Sequence, residues 1–180
     1  MEPSTNFLLI NIIGGILVIS SYFWGYIKYP FHRNLLWGSI GLNFQKVFVL
    51  SMICGMLGYL VSAFWFWKII NHDNFIFGNN YDFHIIITSF SFFLGISALW
   101  MPMAIKSLIS KNKLYINITK LILVFVAILS LFILYSIVTS NDIENNMIPG
   151  KNIPIIGWAI LSIHTVIFDC VIWSFKFNPE

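Results

Sequence analysis

The sequence predicts an all-α polytopic membrane protein, a bundle of five transmembrane helices, and three observations carry that prediction. Of 180 residues, 58% are hydrophobic and 18% aromatic, but only 9% are charged. An ordinary soluble domain is roughly 25% charged, so a water-soluble fold of this composition could not cover its apolar surface. Five apolar runs, each long enough to cross a hydrocarbon core of about 30 Å, alternate with short polar stretches. Those stretches in turn alternate between basic and acid-balanced. Five spans of about 20 residues use more than half of the chain, which leaves one membrane domain over residues 1–180 and a lipid bilayer as its surroundings.

The first span, Phe7–Ile27, follows the polar segment Met1 to Asn6. That leader has no Lys or Arg, so the run reads as a retained span rather than a signal peptide. The connection from Asn34 to Lys46 mixes Leu35, Leu36, Trp37, Ile40 and Phe44 with polar residues. It reads either as an interfacial anchor, a depth that Trp and Tyr favour, or as a lid folded over a cavity. The second span, Val47–Ile70, closes in Phe64-Trp65-Phe66-Trp67-Lys68, and the third, His84–Ile105, carries Ser97, Trp100 and Pro102. The proline ring removes a backbone donor and is expected to kink that helix. Ser110-Lys111-Asn112-Lys113 leads into the fourth span, Ile118–Thr139. Asn141 to Asn146, with Pro149-Gly150, leads into the fifth, Pro154–Phe175.

Charge orients the bundle. Lys28, Arg33 and Lys46 follow the first span, and Lys106, Lys111, Lys113 and Lys120 surround the third connection. In the other two connections Lys68 faces Asp73 and Asp82, and Lys151 faces Asp142 and Glu144. The positive-inside rule then places the first and third connections in the cytoplasm, with the amino terminus outside and the carboxyl terminus inside. The formal charge of +3 is spread between spans rather than gathered on one face, so no nucleic-acid partner is expected. Cys54 and Cys170 both lie in apolar runs and read as small buried hydrophobes.

Chemistry-bearing residues are sparse. Of four histidines only His164 lies in mid-membrane, whereas bis-histidine haem ligation needs two imidazoles at one depth. The membrane-embedded acids reduce to Asp169, where a glycosidase needs a pair. Ser20, Ser21, Ser62, Ser89, Ser91, Ser97, Ser130 and Ser162 read as interhelical hydrogen-bonding groups rather than nucleophiles. No Gly-rich phosphate loop or zinc spacing occurs. The expectation is a protein that is not an enzyme and has no cofactor.

The fifth span stands out. At about 100° per residue, Trp158, Ser162, Thr165, Asp169 and Trp173 share one face. His164 points about 120° away from Trp158, among Ile160, Leu161, Ile167 and Phe168. An ionisable group at this depth costs several kcal/mol against lipid, so Asp169 must face the bundle or a wet cavity. Trp24, Trp100, Trp158, Asp169 and Trp173 are the candidate ligand contacts, since apolar pockets between helices are common ligand sites. Two classes are open: a protein that binds or transports a small apolar ligand, and a non-catalytic structural subunit of a larger membrane assembly.

Three segments add a resemblance. Trp24-Gly25-Tyr26-Ile27-Lys28-Tyr29-Pro30, Ala98-Leu99-Trp100-Met101-Pro102 and Pro154-Ile155-Ile156-Gly157-Trp158, together with the five-span architecture, resemble the translocator protein family, also called tryptophan-rich sensory proteins. The chain differs from the family in Tyr29 between Lys28 and Pro30, in lacking the double proline that follows there, and in lacking an Asn before Trp100. The resemblance implies a five-helix bundle, often a homodimer, that binds porphyrins, sterols or similar apolar ligands beneath the long connection.

Overall fold

A computed structural model describes residues 2–70, 75–76, 83–142 and 150–178. Five long helices dominate it: α1 (Pro3–Lys28), α2 (Leu42–Ile69), α3 (Phe83–Ser110), α4 (Lys113–Thr139) and α5 (Asn152–Lys176). All five are long and apolar enough to span a bilayer; at 1.5 Å per residue each reaches roughly 38–42 Å, which exceeds the hydrocarbon core. The chain is therefore an all-α, five-helix, multi-pass membrane protein. α3 continues through Pro102 without a break. Phe75–Ile76 pairs antiparallel with Asn141–Asp142, tying two connections together at one end of the bundle.

The helices form a ring in the order α1, α3, α4, α5, α2, closed loosely where α2 returns to α1. Large apolar side chains such as Ile16, Phe23, Leu50, Ile128 and Ile163 are exposed around its outside, as lipid-facing helices require. Inside, Phe7, Phe66, Phe90 and Trp158 form one buried cluster, and Phe48, Met101, Ile105, Trp173 and Phe177 form another toward the carboxyl-terminal end of α5.

Small residues decide how closely α2 and α5 approach. A Cβ built on Gly58 would stand 2.1 Å from the carbonyl oxygen of Gly157, and one on Gly157 would stand 2.7 Å from that of Gly58. Only hydrogen fits at this crossing, the usual device for close backbone packing in membranes. Ser62 reinforces it by donating to the Pro154 carbonyl at 3.0 Å.

The serines divide into two groups. Ser62, Ser130 and Ser162 reach neighbouring helices. Ser21, Ser89, Ser91 and Ser97 donate back to carbonyls three or four residues earlier in their own helices.

The connection between α1 and α2 is two 3₁₀ turns, Pro30–His32 and Leu35–Trp37. Leu36 and Ile40 are buried, whereas Leu35 and Phe44 are exposed, and Phe44 already belongs to α2. The turns dock on the end of α5. The Ser39 amide donates to the Lys176 carbonyl at 3.0 Å, and the Trp173 indole N–H donates to the Leu36 carbonyl at 2.8 Å. Gly38 makes the docking possible, because its φ is +53° and a Cβ there would lie 2.2 Å from the Lys176 oxygen. Hydrogen exchange should find the Leu36 to Ile40 amides slower than those of Asn141 to Asn146, of which residues 143–146 lie outside the described residues; equal rates would contradict the docked arrangement.

Lys151 makes a contact that its sequence neighbours do not suggest. Asp73, Asp82 and Glu144 lie outside the described residues. The ammonium donates to the Ser140 carbonyl at the carboxyl-terminal cap of α4, where the helix dipole favours a cation. Burial holds this lysine below the ordinary lysine range.

Candidate functional site

The expected polar face of α5 divides because α5 is not α-helical throughout. Its hydrogen bonding turns to π geometry over His164–Trp173, so a residue stacks on its i+5 neighbour rather than its i+4 neighbour. In α geometry His164 and Asp169 would point about 140° apart. Here His164 Nε2 and Asp169 Oδ2 are 3.4 Å apart. That takes Asp169 off the Trp158 face and brings it to His164, which points away from Trp158 beside Phe168 as the sequence suggests.

Trp158, Ser162 and Thr165 do share a face, and it meets Ser130 of α4. The Trp158 N–H donates to the Ser130 carbonyl at 2.7 Å, the Ser130 and Thr165 hydroxyls are 2.7 Å apart, and Ser162 donates to the same carbonyl at 3.3 Å. Trp158 is wholly buried and rests on Tyr59, Phe90 and Phe93. Its polar atom and its rings are thus used within the bundle.

Asp169 belongs to a second arrangement, with α2. Ser51 Oγ lies 2.8 Å from His164 Nδ1 and also donates to the Phe48 carbonyl at 2.8 Å. Phe48 stands edge-on to the imidazole and Phe168 stacks beside it at 5.9 Å. The result is a chain, Ser51–His164–Asp169, walled by phenyl rings. Among the described residues no Lys or Arg comes within ion-pair distance of Asp169. Tyr22 of α1 and Cys170 lie within its electrostatic reach.

A third group joins α1, α3 and α5. The Trp100 ring is 5.4 Å from Tyr22 and 5.2 Å from Trp173, and Trp173 stacks on Phe177 at 4.1 Å. Trp173 spends its N–H on the α1–α2 connection. Trp100 does not: its Nε1 is buried without a hydrogen-bond partner among the described residues, in an environment where an unmade bond costs about 1–3 kcal/mol.

Of the five candidate ligand contacts, the structure thus brings Trp100, Trp173 and Asp169 toward one region through Tyr22, and places Trp158 elsewhere in the core. Trp24 is apart from all of them on the outside of α1, edge-on to Tyr29 with the Lys28 ammonium 5.7 Å from its ring. Two open grooves lie away from these residues. One, about 240 Å³, runs along the loose α1–α2 seam between Phe7, Leu8, Tyr59 and Trp67; the other, about 360 Å³, lies between α3 and α4 by His84 and Phe132. None of the five lines either groove. Sequence reasoning missed Ser51 and Tyr22. Their polar atoms stand out within apolar runs, but which helix each one faces is not written in its own segment.

Comparison with protein-family models, with curated proteins and with solved structures gives no match.

Proposed function

We propose that this protein binds a small, largely apolar ligand within the bundle, in the region bounded by Tyr22, Trp100, Trp173 and Asp169. The observation that carries the reading is the Trp100 indole N–H, a strong donor held in the apolar interior with no acceptor among the described residues. A ligand that presents a carbonyl, carboxylate or ring nitrogen would take that bond, and the surrounding rings would cover its apolar body. Porphyrins and sterols, the ligands implied by the sequence resemblance, both combine an apolar frame with a few polar atoms.

Titration of the purified protein with protoporphyrin IX and with cholesterol, followed by quenching of tryptophan fluorescence or by displacement, tests this. Trp100→Phe should weaken binding about tenfold, the worth of one hydrogen bond of about 1.4 kcal/mol. Without ligand the same variant should be as stable as the parent or more so, because the unpaired donor is gone. Asp169→Asn should keep the fold and also weaken binding. If neither probe binds, or Trp100→Phe binds both unchanged, the structural-subunit reading replaces this one.

The orientation belongs to the same proposal. Lys28, Arg33, Lys46, Lys106, Lys111, Lys113 and Lys176 all lie at the end of the bundle that holds the end of α5, and we take that end as cytoplasmic. A cysteine placed at Asn112 should resist an impermeant thiol reagent added outside, while one at Asn79 or Asn145, both beyond the described residues, should react. Outside labelling at Asn112 would reverse the assignment.

A further inference from the structure

We propose that Ser51, His164 and Asp169 form a proton relay inside the membrane span, a site that loads and passes one proton. Hydrogen counting along the chain supports it. A serine hydroxyl carries one hydrogen, and Ser51 has two acceptors at 2.8 Å, the Phe48 carbonyl and His164 Nδ1. A neutral imidazole carries one hydrogen on one of its two nitrogens. These restrictions leave two patterns with nearly the same heavy-atom positions, each of which draws His164 Nε2 and Asp169 Oδ2, 3.4 Å apart, a few tenths of an ångström closer.

In the unloaded pattern Asp169 is a carboxylate that accepts from His164 Nε2–H, and Ser51 donates to the bare Nδ1. In the loaded pattern the Asp169 carboxyl donates to bare Nε2, Nδ1–H donates to Ser51 Oγ, and Ser51 donates to the Phe48 carbonyl. A proton arriving at Ser51 Oγ displaces the hydroxyl hydrogen to Nδ1, and the Nε2 hydrogen passes to Asp169 Oδ2. Three bonds to hydrogen form, two break, one proton is gained and no electrons move. Reversal delivers a proton from Asp169 toward Ser51.

The placement suits such a path. Asp169 stands seven residues and His164 twelve residues before Lys176, so Asp169 is the nearer of the two to that end of α5. Asp169 is also the more open of the two, with 22% of its side chain accessible against 10% for His164. The π turn is what closes the chain, since α geometry would part its last two members. Among the described residues, the other titratable groups within reach of Asp169 are Tyr22 from α1 and Cys170 on α5. On the other packed helices, Ser130 of α4 bonds Thr165 and Trp100 of α3 meets the ring of Trp173.

The test uses the full chain in phosphatidylcholine vesicles without ligand, so it stands apart from the binding experiments. Infrared difference spectra report the carboxylic acid carbonyl, and nitrogen-15 resonances of labelled histidine report which ring nitrogen is protonated. In the parent protein the acid band should grow in, and the proton should move from Nε2 to Nδ1, in one titration with one midpoint. Asp169→Asn should abolish the band. Ser51→Ala, which removes the acceptor for Nδ1–H, should move the carboxyl and imidazole midpoints together or abolish both changes, and an acid band that titrates as in the parent would overturn the relay. Separate midpoints for carboxyl and imidazole, or no response of either across the range in which the protein stays folded, would overturn the relay.

Discussion

Replacing Gly58 with leucine should separate α2 from α5 and give a large loss of stability. Even one methyl group at this position would overlap the Gly157 carbonyl at 2.1 Å. The obstacle is backbone rather than a flexible side-chain end, so relief requires the helices to move apart along their whole contact. Overpacking typically costs about 1–3 kcal/mol when side chains can yield, and here the upper end or beyond is expected. Gly15→Ala and Gly95→Ala are the controls, since nothing lies within 4 Å of a Cβ at either. There the better helix propensity of alanine should add up to about 1 kcal/mol. Thermal unfolding in detergent would separate the three variants, and equal behaviour of Gly58→Leu and the controls would refute the crossing.

Trp173→Ala should release the α1–α2 connection. The indole is almost fully buried, stacks on Phe177, meets Trp100 edge-on, and donates to the Leu36 carbonyl. Truncating a buried tryptophan costs about 3–5 kcal/mol, and here part of that loss should appear as local opening. Amides from Leu36 to Ile40 should exchange faster, while those at the middle of α4 should not. Trp173→Phe keeps a ring against Phe177 and loses only the hydrogen bond, so about 1 kcal/mol is expected. Unchanged exchange in the connection after Trp173→Ala would mean that other contacts hold it.

The five spans were legible because apolar runs of the required length have no other stable use in a chain so poor in charge. Their ends were less so. α1 begins at Pro3 and α2 at Leu42, earlier than the apolar runs, because helices continue through Asn6, Asn43, Gln45 and Lys46 into the interfacial layer, where polar side chains still find water. Trp158 and Ser162 were placed on one face correctly, since α geometry holds as far as Ile163, and Thr165, at the start of the π segment, still reaches Ser130. Beyond that residue the constant angle per residue fails, and the grouping of Asp169 with Thr165 fails with it. A π turn leaves no sign in hydropathy. One polar hint does exist: His164 and Asp169 both sit in a lipid-depth segment, and two ionisable groups on one such helix lower their cost by meeting.

Partners across helices were the hardest to see. Ser51 resembles the other intramembrane serines until α2 is known to lie beside α5. Lys151 reads as a loop cation beside Asp142 and Glu144, and nothing in that segment shows that its ammonium also donates to the Ser140 carbonyl. Trp173 reads as a cavity wall, and nothing in its own segment shows that its indole N–H also holds the α1–α2 connection. Such choices follow from which surfaces face one another, information that arises only once the ring has closed.

The contact between His164 and Asp169 is the point on which the altered register, the site and the relay all depend. Magic-angle-spinning NMR on the chain in lipid bilayers, with nitrogen-15 in histidine and carbon-13 in the aspartate carboxyl, measures it through the dipolar coupling between the imidazole Nε2 and that carboxyl. The structure, with its 3.4 Å nitrogen to oxygen distance, predicts a strong coupling that Asp169→Asn made in the same labelled medium removes. A coupling too weak to detect in the parent protein, as regular α geometry through this segment would give, would contradict the account.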